Sequence, residues 1–474
     1  MASGVSSVGG FPEPSPTRTA SPARTHGRPD GRGVATTRLG SLSFAIALVG
    51  GVSLVLGLIR LGTPSFWVDE AFTARALHRS LPALFERQVH IVYYAILKPW
   101  GFVAGDSEWA LRFPSVVGAA LACVLLVVLA RMVFDRWAAL VSGLLLAINP
   151  FLVKWSQQAR GYTLMVALSL LATILLVRAL HRETRSGWAW YGLAFTLLVV
   201  WHPVGGLLLV APHLVLVWQR RERVLPQGLV AALVVLALGV PWGAVVAMRS
   251  TGEGVAMNWL RFPSPETAAW AFVDVSGVGL GALLAALGLW VLVRTGRRSE
   301  ALWLGVWAFS PFLVSLAIST VRPIYLDRYL IVAAPAFALL GGLALMGVGS
   351  RARAVLAAIV AAGACVGLAH WYAGAGDGNW HGEDWRRAVA TALARKSDAG
   401  SLVVADWSAF PAAEYYGAHP RDTSTAASIW VLRWSEGARD LSVGERRALG
   451  FGDHRLRERI PFGRRLSLQL WQRG

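Results

Sequence analysis

Two carboxylates stand side by side, Asp69 and Glu70, in the stretch "FWVDEAFTARAL", directly behind the aromatic pair Phe66 and Trp67. A carboxylate shielded by aromatic rings can serve as a general base toward a hydroxyl, because desolvation raises its basicity. Acidic pairs also occur at helix starts, where they answer the positive end of the helix dipole. Spacing alone leaves both roles open. Cations recur further along: Lys154 and Arg160 in "KWSQQARGY", then Arg322 and Arg328 in "RPIYLDRYL". A planar guanidinium fork suits a phosphate, whereas an interfacial arginine with no such role snorkels to lipid headgroups. His90 and Tyr93 fall in "HIVYYAILKPW", and Glu108 and Arg112 in "GDSEWALRF". At this one-turn spacing Glu108 and Arg112 are expected to pair with each other. His202 precedes Pro203 and is expected to be structural. Asp274 lies a few residues inside an apolar run. An ionisable group at that depth is costly, so it is a functional candidate.

The elements that must position these groups are membrane helices. The chain has 474 residues, 55% of them hydrophobic and 15% charged, with a mean hydropathy of +0.51. Soluble domains carry about 25% charged residues. Apolar runs near membrane-spanning length recur at 40–61, 110–133, 137–153, 162–180, 188–201, 203–218, 227–248, 268–293, 300–320, 329–348 and 353–373. The expected fold class is an all-α polytopic membrane protein of about eleven transmembrane helices. The formal charge of +18 is explained by arginine clusters between the runs, which mark cytoplasmic loops, so nucleic acid is excluded as a partner. Cys123 and Cys365 both lie in apolar runs, which leaves no disulfide framework and no zinc site.

Residues 1–38 are rich in Pro, Gly, Ser and Arg and are expected to be a disordered basic tail on the cytoplasmic side, with no cleavable signal peptide. The short run at 90–105 decides the topology. If it crosses the membrane, "RMVFDR", "HRETR", "QRRER" and "RTGRR" all face outward, against the positive-inside rule. If it lies along the outer interface, those clusters and "SRAR" at 350–353 all face inward. The second arrangement makes residues 62–109 a large first outer loop with a juxtamembrane helix, inside a transmembrane domain of residues 39–374. It places Asp69, Glu70, residues 154–162 and residues 321–329 on the outer face. Residues 375–474 are polar, with a strand pattern in "SLVVAD", a helix pattern in "EDWRRAVATALARK" and a turn at "FGD". They are expected to form a small extracytoplasmic α/β cap. Its many arginines do not oppose that side, because long domains translocate largely regardless of charge.

In order, "FWVDEAFTARAL", "HIVYYAILKPW", "GDSEWALRFPSVVGA", "NPFLVKWSQQARGYTLMVAL", "RPIYLDRYLIVAAPAFALL" and "EDWRRAVATAL" resemble the family 39-type, PMT-like glycosyltransferases of the GT-C superfamily over about residues 40–420. The resemblance implies a GT-C fold in the plasma membrane. It implies an inverting enzyme that moves a sugar, mannose first among candidates, from a polyprenyl-phosphate donor to a lipid, glycan or protein hydroxyl on the extracytoplasmic face. It implies Asp69 as general base, with Glu70 orienting the acceptor or a bound ion. Arg160, Arg328, Lys154 and Arg322 are implied at the lipid-linked phosphate, and His90, Tyr93 and Glu108 near the substrate. No cofactor is implied with certainty, although Asp69 and Glu70 together could hold a divalent cation. Two features depart from the family. Gln158 stands where relatives often carry Glu, and the histidine is not followed by paired prolines.

A flippase for lipid-linked sugars and a non-catalytic scaffold are the alternatives. Transporters place their sites at the membrane midplane, between repeated halves. Here the polar residues gather at one face, no repeat is visible, and Asp274 and His213 are the Asp, Glu, Lys, Arg or His residues set more than three positions from the end of a run.

Overall fold

The computed structural model of the chain describes residues 31–87, 91–221, 224, 227–249, 260–277, 280–374, 382–396, 400–418, 426–434 and 439–473. Residues 1–42 form one unit and residues 43–474 another. Of the expected N-terminal tail only residues 31–38 are described, as the start of the helix Gly31–Leu58.

Each apolar run coincides with a helix or a helix pair. By length and composition six of the described helices can cross a membrane, or up to eight if each of two bent pairs is one span. Three shorter apolar helices, Leu42–Leu58, Ile91–Ala104 and Pro203–Gln219, accompany them. The protein is therefore a multi-span helical membrane protein, and the count of eleven stays an expectation from charge parity.

Both bends have local causes. The pair Arg136–Ala147 and Pro150–Ser156 is bent by 58°. Asn149 ends the first helix and caps the second, its side chain accepting from the Phe151 and Leu152 amides, with Pro150 in the first turn where its missing N–H costs nothing. The pair Pro265–Ser276 and Leu280–Arg294 is bent by 64°, and Gly277 closes its first helix at φ 96°, a conformation that glycine adopts freely. The two breaks meet: the Asn149 side-chain amide donates to the Val275 carbonyl at 3.3 Å.

The first loop is helical rather than extended, with helices Val68–Leu77, Leu81–Arg87 and Ile91–Ala104. The last, 14 residues long, coincides with the short apolar run at 90–105. Its Lys98 donates to the Leu77 and Arg79 carbonyls at 2.5 and 2.8 Å. The ammonium thereby holds the chain where Val68–Leu77 ends.

The C-terminal segment carries a four-stranded sheet in the order β1-β2-β4-β3, with β1 Ser401–Val404, β2 Ser428–Arg433, β3 His454–Pro461 and β4 Ser467–Arg473. β1 and β2 run parallel, with Ser401 opposite Ile429, and the other pairs are antiparallel. The helix Trp385–Arg395, capped by Asp384, is the one expected from "EDWRRAVATALARK". Its amphipathic face buries Trp385, Ala388, Val389 and Ala392. The small α/β domain is thus present as read.

Candidate active site

Asp69 and Glu70 occupy the first turn of the helix Val68–Leu77. Neighbouring residues on a helix point about 100° apart, and the structure uses that divergence. Glu70 turns inward. Arg112 donates to both its oxygens at 2.7 Å, and the Ala159 amide donates to one of them at 2.7 Å. Arg112 also donates to the Leu61 and Pro64 carbonyls, each at 2.9 Å, and to that of Ser65 at 3.2 Å. This corrects two expectations. Arg112 pairs with Glu70 across the fold rather than with Glu108 on its own helix. Glu70, fully buried, does not stand beside Asp69 facing an acceptor.

Asp69 turns outward and keeps 29% of its side chain exposed. Its carboxylate lies 3.9 Å from the Arg160 guanidinium and 3.8 Å from that of Arg328. The two arginines are largely buried and come from segments about 170 residues apart in sequence. Arg160 sits in the turn between the helices Pro150–Ser156 and Tyr162–Arg182. Burial works against its charge, but Tyr162 and Asp69 outweigh that and hold its pKa well above the ordinary arginine value. Arg160 also lies over the Tyr162 ring at 5.8 Å. Lys154 stands 3.9 Å from Asp327, the residue before Arg328, and over the rings of Phe151 and Trp155 at 5.5 Å each. The charge of Asp274 also acts on it. Arg160 and Arg328 therefore flank Asp69, and Lys154 stands against Asp327, the neighbour of Arg328.

The other candidates are placed differently. Glu108 faces the C-terminal domain, accepting from Arg386 and from the Tyr416 hydroxyl. Arg322 is half-buried and its amide closes the last turn of Arg298–Ser319. His90 lies outside the described residues. Tyr93 is buried against Tyr94 and Trp201, at ring separations of 5.5 and 5.9 Å. Burial first, and then the neighbouring Tyr94, raises its hydroxyl pKa, so it stays protonated. Tyr93, Tyr94, Arg160, Gly161, Tyr162, Trp201 and His202 line a small cavity beside Asp69's cationic partners. His202 caps the helix Pro203–Leu208, accepting from the Gly205 amide. His213 is buried between Thr173 and Tyr191 and is structural.

Gln158, the departure from the family pattern, accepts from the Trp67 indole at 2.6 Å. It thereby fastens the residue two positions before Asp69. A cation held jointly by Asp69 and Glu70 does not fit these donors, because both oxygens of Glu70 are taken by Arg112. Among the described residues no cluster of three or more His, Cys, Asp or Glu could hold a metal.

Residues 91–244 match the family model described as dolichyl-phosphate-mannose-protein mannosyltransferase. No curated protein sequence is a significant match. Among solved structures the chain is similar to ArnT from Cupriavidus metallidurans in the apo state, with a TM-score of 0.61 at 14% identity, over 92% of this chain and 98% of that one. It is also similar to the same ArnT bound to undecaprenyl phosphate, with a TM-score of 0.56 at 15% identity over 90% and 97%. The oligosaccharyltransferase of Archaeoglobus fulgidus, in a complex with Zn and sulfate, gives 0.50 at 14% identity over 82% and 67%. The chain shares the fold of these ArnT and oligosaccharyltransferase structures. The family-model match spans the helix Ile91–Ala104, Arg112, Lys154 and Arg160. Asp69, Arg328 and the C-terminal domain fall outside it.

Sequence reasoning missed Arg112 as the partner of Glu70, the Trp67–Gln158 bond, and Tyr416. Only Arg112 carried a signal. It is a charge inside an apolar run, and such a residue needs a fully satisfying partner.

Proposed function

We propose that the protein is an inverting glycosyltransferase that moves a sugar from a polyprenyl-phosphate donor to an acceptor hydroxyl at the extracytoplasmic face of the plasma membrane. The observation that carries this reading is Asp69 set between Arg160 and Arg328. At 3.8 and 3.9 Å the guanidinium groups share the field of the carboxylate without being locked to it by short hydrogen bonds. A phosphodiester seated between them meets two planar forks. Asp69 accepts the proton of the acceptor hydroxyl as its oxygen attacks the anomeric carbon. The bond from that carbon to the phosphate oxygen breaks, and the charge left on the phosphate falls to Arg160, Arg328 and Lys154, which are already in place. Mannose is the first sugar to try and arabinose the second. The acceptor is a hydroxyl of a lipid, glycan or protein. A divalent cation, if used, is not shared by Asp69 and Glu70.

Broken helices are also a mark of transporters. Here both breaks border an apolar cavity lined by Leu145, Ile148, Phe337 and Gly341, and none of its lining residues is charged. That favours chemistry at the cluster over passage through the breaks. The test uses purified protein in lipid vesicles with a panel of polyprenyl-phosphate sugars, scoring donor consumption with and without acceptors. Consumption of one donor by the wild type and none by Asp69→Asn supports the reading. Equal consumption by both sinks it.

A further inference from the structure

The segment that leads into Asp69 is held by the C-terminal domain. The Phe66 amide donates to the Tyr416 hydroxyl at 2.7 Å, and that hydroxyl donates to Glu108 at 2.8 Å. Arg386 bonds the same Glu108 oxygen and the Thr63 carbonyl. The Ser65 hydroxyl donates to the Glu383 carbonyl at 2.9 Å and accepts from the Trp385 amide at 3.2 Å. Thr63, Ser65 and Phe66 therefore give a carbonyl, a hydroxyl and an amide to the C-terminal domain just before the helix that bears Asp69, while the Pro64 and Ser65 carbonyls go to Arg112. That helix has no side-chain cap at Trp67, so its start is fixed from outside.

We infer that Tyr416 is a positioning residue for Asp69, and that the C-terminal domain sets the geometry of the site through it. The kinetic part of this inference rests on the glycosyltransferase reading. The physical reason is bond accounting. Tyr416 accepts one buried amide and donates to one carboxylate. Removing its oxygen orphans the Phe66 N–H and leaves Glu108 with Arg386 and its own amide. The loop then relaxes, and displacements near 1 Å cost on the order of 100-fold in rate.

The test uses full-length protein in lipid vesicles. Tyr416→Phe keeps the ring against Tyr415, 4.9 Å away, and removes only the hydroxyl. With polyprenyl-phosphate mannose, or whichever panel donor the wild type consumes, kcat should fall roughly 10- to 100-fold while KM for the donor stays within about twofold. Amide exchange in peptides covering 63–72 should speed up. Arg386→Gln should move both readouts the same way, and Arg386→Lys should recover most of the loss. Arg395→Gln, which breaks the Arg395–Glu458 pair in the same domain, should move neither. The inference is overturned if Tyr416→Phe and Arg386→Gln leave exchange in 63–72 and kcat unchanged, or if they raise KM alone. Should the wild type consume no panel donor, the glycosyltransferase reading falls, and the exchange measurement still decides whether the domain holds the loop.

Discussion

Arg112 donates to both oxygens of Glu70 at 2.7 Å, and the pair is almost wholly buried, with side chains 2% and 0% exposed. Its remaining donors go to the Leu61, Pro64 and Ser65 carbonyls. One guanidinium thus ties the end of the first long helix to the start of the helix bearing Asp69. Through Glu70 and the Ala159 amide, it also fixes the turn that carries Arg160.

Breaking this pair on one side leaves an uncompensated buried charge. Glu70→Ala or Arg112→Ala should each destabilise the protein by about 3–5 kcal/mol. An apolar double replacement, Glu70→Leu with Arg112→Met, should cost less than either alone. Thermal unfolding of the purified protein in one detergent ranks the variants. A double variant less stable than both singles would show that the guanidinium's carbonyl contacts, rather than the ion pair, hold the site together.

Asp69 makes no comparable buried contacts, so its replacement should separate activity from folding. Asp69→Asn should lower donor turnover by about 100- to 10,000-fold at unchanged thermal stability. Glu70→Gln should lose stability together with activity. If both acids behave alike in the unfolding assay, the division of labour between them is wrong.

Arg160 and Arg328 are expected to grip phosphate by geometry as much as by charge. Arg160→Lys and Arg328→Lys keep the charge and lose the fork. Each should raise KM for a polyprenyl-phosphate sugar by roughly tenfold, equivalent to about 1.4 kcal/mol of lost binding. Steady-state kinetics in vesicles measures this. Full activity of the lysine variants would mean that only net charge matters there.

Much of the site was legible because its parts sit where runs of apolar residues stop. Asp69, Arg160 and Arg328 each lie at a helix start or in the turn before one, and the ends of packed helices bring distant segments together. The bend at Asn149–Pro150 was spelled by the residues that make it. Which of two adjacent acids turns inward was not legible. That depends on the phase of a short helix and on Arg112, 42 residues away from Glu70. The partner of Glu108 was equally hidden. Arg386 lies 278 residues downstream, on a helix of the C-terminal segment, whereas local spacing points to the neighbour at i+4. Length and composition alone could not give the number of spans, because bent and short helices defeat a count by run length.

Acid should loosen the C-terminal domain through Glu445. The Ser442 amide first, and then the Ser442 hydroxyl and Arg433, hold this carboxyl down at about 2 from an ordinary 4.5, against an opposing effect of burial. The geometry matches: the Ser442 amide donates to one oxygen at 2.7 Å and Arg433 to the other at 2.9 Å. Because the folded value is the depressed one, the stabilisation is fully present above the unfolded value of about 4.5. It is lost as the pH falls from there toward about 2. Exposure of Glu445 keeps the effect modest. Amide exchange in peptides covering 439–450, followed from pH 6 down to pH 3 with the intrinsic rate corrected, should show protection falling in the wild type. In Glu445→Gln protection should be lower at pH 6 and nearly flat below it. A wild type whose protection is as flat as that of the variant across this window would refute the assignment.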